Sequence, residues 1–115
     1  MKEFTVKFSL CDSEYLTALR LVAGAVCNAR EVDLDALEDF KVCVTECANI
    51  LKNSGFEKVE AVFFCGEEVG CDVYGDGGNP LNGDNELSIA LISALVKDFT
   101  VEKSGQIIKK LSITL

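Results

Sequence analysis

Apolar and polar positions alternate in "EFTVKFSL": Phe4, Val6, Phe8 and Leu10 fall on one face, Thr5, Lys7 and Ser9 on the other. A period of two predicts a half-buried strand. The period then lengthens. In "CDSEYLTALRLVAGAVCNA", Tyr15, Leu16, Leu19, Val22, Ala23 and Val26 recur at helical spacing behind Asp12 or Ser13 as N-cap. "VDLDALEDFKVCVTECANILKNSG" predicts a second, longer helix capped by Asp33, with Leu34, Leu37, Val44 and Leu51 as its stripe. Acidic residues suit its first turn, and Gly55 suits the left-handed position that ends a helix. "EKVEAVFFC" and "EVGCDVYG" alternate again and predict a hairpin through Gly66–Glu68. A loop rich in Gly, Asn and Asp runs to about residue 84. "NELSIALISALVKDF" then predicts a third helix with Leu87, Leu91 and Leu95 on one side. "FTVEKSGQIIKKLSITL" predicts a closing hairpin around Ser104–Gly105, with Lys109 and Lys110 on a solvated face.

The resulting order is β α α β β α β β. Hairpins with helices to cover one face predict an α/β two-layer sandwich, its sheet mixed but mainly antiparallel and its three helices on one side. A chain of 115 residues holds one such core, so residues 1–115 are read as a single domain.

Composition narrows the chemistry. With no histidine there is no His-based triad, His–metal site or imidazole shuttle. A formal net charge of −8 disfavours nucleic acid and anionic membrane and suits a basic protein partner. No long apolar run or basic-then-apolar leader occurs, which places the expectation in the cytoplasm. The six cysteines form no C-x-x-C pair and sit mostly in apolar patterns, so buried reduced thiols are expected and a metal site is not. The acidic loop offers oxygen ligands, but the EF-hand pattern fails in every register and no P-loop occurs.

The stretch "EDFKVCVTECANIL" carries a specific pattern. Glu38, Asp39, Lys41, Val42, Val44, Thr45 and Glu46 match, without a gap, the N-box helix of the anti-sigma factor serine kinases. The chain therefore resembles that family of small Bergerat-fold (histidine-kinase-like, GHKL) ATPases, and its element order resembles theirs over essentially the whole length. The resemblance implies Glu46 as catalytic base and Asn49 as an offset ligand for Mg²⁺ on ATP. It implies Asp76 on the adenine through a strand bulge, with Gly77 as the first motif glycine. Ile50 stands where the family has its asparagine, Gly75 where it has the adenine-binding aspartate, and Glu86 and Ser88 where it has phosphate-loop glycines. Only about eight residues remain for the ATP lid.

Two readings of this resemblance follow. In the first, the chain is a degenerate relative that acts by binding a protein, a sigma factor or an anti-sigma factor antagonist, with no cofactor. In the second it is a Mg·ATP-dependent serine kinase. An unrelated small α+β binding module is a third reading, and a homodimer is left open in each.

Overall fold

The computed structural model describes residues 2–115. Strand β1 (Lys2–Ser9) is followed by helices α1 (Glu14–Ala29) and α2 (Leu34–Asn53). Strands β2 (Lys58–Cys65) and β3 (Val69–Asp76), helix α3 (Glu86–Leu95), and strands β4 (Asp98–Ser104) and β5 (Ile107–Thr114) complete the order. The sheet runs β1-β2-β3-β5-β4, and every pairing in it is antiparallel. All three helices lie on one face, α1 over β2, α2 across β3 and β5, and α3 beside β4. The two-layer architecture and the element order are those predicted.

The alternation explains the layering. Val59, Ala61 and Phe63 on β2, Cys71 and Val73 on β3, and Leu111 and Ile113 on β5 point at the helices and are buried. The intervening residues make an open face, mostly polar but with Val62 and Phe64 on it, where Lys110 Nζ sits 4.0 Å from Asp72 and 5.0 Å above the Tyr74 ring. From the helix layer, Leu19, Ala23, Phe40, Val44, Cys47 and Leu51 meet the sheet. Phe40 packs edge-to-face on Phe63 at 6.3 Å and 72°. Burying such a ring contributes roughly 2–3 kcal/mol.

The helix starts follow the sequence signals. Asp33 Oδ1 accepts the Ala36 N–H at 3.0 Å, capping α2 as expected. At α1, Ser13 occupies the cap position without a side-chain bond, while Asp12 Oδ1 accepts the Glu14 N–H at 3.2 Å.

Three details depart from the sequence pattern. Leu34 belongs to the expected α2 stripe but lies at the solvent-exposed start of the helix, whereas Leu37, Val44 and Leu51 do pack inward. Helix α3 stops at Leu95 rather than continuing to Phe99, because Val96 turns extended and Asp98 is taken into the ladder opposite Thr114. The side of α3 that carries Leu87 and Leu91 faces outward, and its one buried residue is Ile92.

Five cysteines are buried and Cys11 is exposed, all as free thiols. Burial pushes Cys27 up to about 11 and Cys43 up to about 12, the carboxylates of Asp39 and Glu46 adding to the effect at Cys43. Burial also raises Cys47 and Cys71. Thiols in the unfolded chain ionise near 9.0, so above that pH the unfolded state releases protons that the folded state keeps. The stability these thiols contribute is complete below pH 9.0 and is lost as pH rises toward their folded values. The melting temperature is therefore expected to fall by about 5 °C or more between pH 9 and 11, as read by circular dichroism. A flat profile across that window contradicts the assignment.

Candidate functional site

The geometry around the second helix begins with its C-terminal end, where a helix leaves carbonyls without intrahelical partners. Gly55 turns left-handed at φ 89°, its N–H donates to the Lys52 carbonyl at 3.1 Å, and the Phe56 N–H donates to the Leu51 carbonyl at 3.2 Å. This pair of bonds is the Schellman turn, with glycine at its left-handed position and an apolar residue next.

The turn has two consequences. It presents the Ser54 and Gly55 carbonyls to residues 77–85, the connector between β3 and α3, where they accept the Leu81 N–H at 2.8 Å and the Asn79 N–H at 3.0 Å. It also lays the Phe56 ring on β3 at Gly75, where a Cβ would come within 2.5 Å of the ring carbons. Further bonds hold the far end of the connector. Asn53 Nδ2 donates to the Asp84 carbonyl at 2.9 Å and to Asn85 Oδ1 at 3.0 Å.

Glu46 and Asn49 lie three residues apart on α2 and so share one helix face. They line a polar groove of about 410 Å³ with Lys52, Asn53, Asp84, Asn85 and Ser88. Both are engaged. Glu46 Oε2 accepts the Ser88 hydroxyl at 2.8 Å, and Asn49 Oδ1 accepts the Tyr15 hydroxyl at 2.8 Å. Burial, with the Glu46 carboxylate second, raises the Tyr15 phenol above its ordinary value, so it remains a donor to Asn49. Lys52 Nζ sits 5.6 Å from the centre of the same ring.

Asp76 and Gly77 lie elsewhere. The β2–β3 ladder runs from Cys65↔Val69 to Lys58↔Asp76 without a register shift, so no bulge turns Asp76 toward the helices. Its side chain belongs to the open face of the sheet, beside Glu60 and Tyr74. The bulge falls between Glu102 and Lys103 instead. Gly77 is exposed at φ 68° and neighbours Glu57. Ile50, one position past Asn49, is fully buried. The structure thus joins Glu46 with Asn49 and leaves Asp76 and Gly77 apart from them.

The residues present do not fit Mg·ATP. The Phe56 ring occupies the space over Gly75, where the resemblance would put the adenine, and the connector is bonded directly to the end of α2. The groove holds the carboxylates of Glu46 and Asp84, and its cation, Lys52, lies over Tyr15. Glu86 adds a third carboxylate in the first turn of α3, where a phosphate would need free N–H groups. Among the described residues, no group of three or more His, Cys, Asp or Glu side chains is placed to hold a metal ion.

Sequence reading missed the partners. Tyr15 counted as a core residue and Ser88 as a substituted glycine, and neither spacing marks a bond to α2. Phe56 was legible in principle, as the apolar residue that follows a left-handed helix-ending glycine. The chain matches no protein-family model, and no curated protein matches it.

Replacing Gly55 by alanine strains the backbone and drives a Cβ into the Asn79 carbonyl oxygen. Gly105 is also left-handed, at φ 64°, but has nothing within 4 Å. Gly105→Ala is therefore expected to cost about 1 kcal/mol, and Gly55→Ala about 2 kcal/mol more, in urea unfolding. Equal losses would show that the connector is not packed on the helix end.

Proposed function

We propose that this chain is a degenerate relative of the anti-sigma factor serine kinases that acts by binding a protein, not by transferring phosphate. In this reading it works in the cytoplasm of a bacterium, within a partner-switching circuit, and engages a sigma factor or an anti-sigma factor antagonist. One observation carries the reading. The region that the resemblance assigns to nucleotide, between the end of α2 and the end of β3, is filled by the Phe56 ring and by backbone hydrogen bonds from the connector. Positioned phosphoryl transfer needs base, metal ligand and adenine contact together, whereas Glu46 and Asn49 are separated from Asp76 by the sheet. Fold analogy supplies the class of partner and nothing finer. In agreement with a role away from the bilayer, no helix among the described residues is long and apolar enough to cross a membrane.

The kinase reading keeps one favourable feature, the shared groove of Glu46 and Asn49 beside the start of α3. A thermal-shift titration separates the two, since only a ligand bound to the native state raises its melting temperature. With Mg·ATP at millimolar concentration the proposed reading expects a change below about 1 °C. A rise of several degrees would establish nucleotide binding and favour the kinase.

A further inference from the structure

Helix α3 is apolar around most of its circumference, yet Ile92 is its one buried residue. Leu87 is 89% exposed and Leu91, one turn on, is 40% exposed. The bonds from Asn53 to Asp84 and Asn85, and from Ser88 to Glu46, show that α3 runs antiparallel to α2. Leu91 consequently lies toward Val42, which is itself 36% exposed. Leu87 and Leu91 on α3 and Val42 on α2 are thus uncovered apolar side chains on the two helices that flank the seam.

Apart from Lys52, which lines the groove at the Asn53 end, the charges along the seam are negative. Asp35, Asp39, Val42 and Glu46 follow each other at spacings of four, three and four, one stripe of α2. Asp39 and Glu46 both act on the Cys43 thiol between them, and Glu46 bonds Ser88 across the seam. The lysines of α2 reach toward α1, Lys52 from the end of the groove. Lys41 Cε lies 3.2 Å from the Cβ position of Gly24, and Lys52 lies over Tyr15. Lys97 beyond the end of α3 is paired with Glu68 at 3.0 Å, and Lys103 sits on the β4 side with Glu86 and Ile89. Asp84 and Glu86 extend the negative charge to the start of α3.

We propose that this seam is the docking surface for a basic amphipathic helix of the partner protein. Two antiparallel helices leave a groove into which a third can pack, with apolar anchors one turn apart. Leu87, Leu91 and Val42 receive the anchors, and Asp35, Asp39 and Glu46 receive flanking lysines or arginines. A second copy of this chain is the poorer occupant, because an isologous contact would set these carboxylates against themselves. The inference rests on the protein-binding reading above and names the surface and the chemistry of its partner.

The test uses the whole chain and a labelled synthetic helix with leucines one turn apart and lysines beside them. A second peptide carries glutamates in place of the lysines. Fluorescence anisotropy is expected to show binding of the basic peptide, weakened by salt, and none of the acidic one. Amide shifts should map to α2 and α3, and Leu87→Gln with Leu91→Gln should weaken binding about tenfold or more. Both leucines are exposed, so the variants keep the fold, which circular dichroism checks. Shifts confined to the open sheet face, equal binding of both peptides, or no binding would overturn the seam while leaving the protein-binding reading in place. Self-association in sedimentation equilibrium that Leu87→Gln abolishes would also overturn it, with a second copy as the occupant. Failure of the protein-binding reading itself has a separate sign, the thermal shift with Mg·ATP.

Discussion

The left-handed turn at Gly55 is the constraint on which the rest of the site depends. A helix end must find partners for its last carbonyls, and here the Schellman pair satisfies Leu51 and Lys52 while freeing Ser54 and Gly55 to accept from the connector. The same turn fixes where Phe56 goes, and the missing side chain of Gly75 gives its ring a place on β3. Helix end, connector and strand end are therefore one packed unit. The position of α3 follows from it, since Asn53 holds the residues immediately before that helix.

That unit decides what the α2 face can do. Glu46 and Asn49 stand within one turn of each other, and Glu46 Oε2 accepts from Ser88 while Asn49 Oδ1 accepts from Tyr15. The pair thus serves to join three helices: Tyr15 ties α1 to α2, and Ser88 ties α3 to α2. What is left exposed is the outer edge of the joint, apolar on α3 and carboxylate-bearing on α2. In the reading proposed above, it is this edge that meets another polypeptide.

The fold was largely legible in the sequence because the period of its apolar residues changes cleanly from two to 3.6 and back. Phe4, Val6 and Phe8, or Val59, Ala61 and Phe63, announce their face by alternation alone, and Asp33 and Gly55 announce the limits of α2. Outward and inward sides of α3 were not legible, since a helix apolar nearly all round has no polar side to mark solvent. The end of α3 depended on a partner distant in sequence, the pairing of Asp98 with Thr114. For the site, the motif match put Ile50 at the asparagine position and Asn49 one residue out of register, whereas in the structure Asn49 lines the groove with Glu46 and Ile50 is buried. The match could not reveal that Asp76 stays in register on the opposite side of the sheet, because a bulge is a property of two strands, not one. Nor could it show that Phe56 fills the space above Gly75, a contact set by the geometry of the preceding turn.

The central claim is that the connector is locked to the end of α2 and fills the region that the resemblance assigns to nucleotide. Native-state hydrogen exchange at the Asn79 and Leu81 amides, whose acceptors are the Gly55 and Ser54 carbonyls, tests it most directly. The account predicts exchange only through openings within about 1 kcal/mol of those of the core strands, unchanged by Mg·ATP. Fast exchange through a low-energy local opening, slowed when Mg·ATP is added, would contradict it.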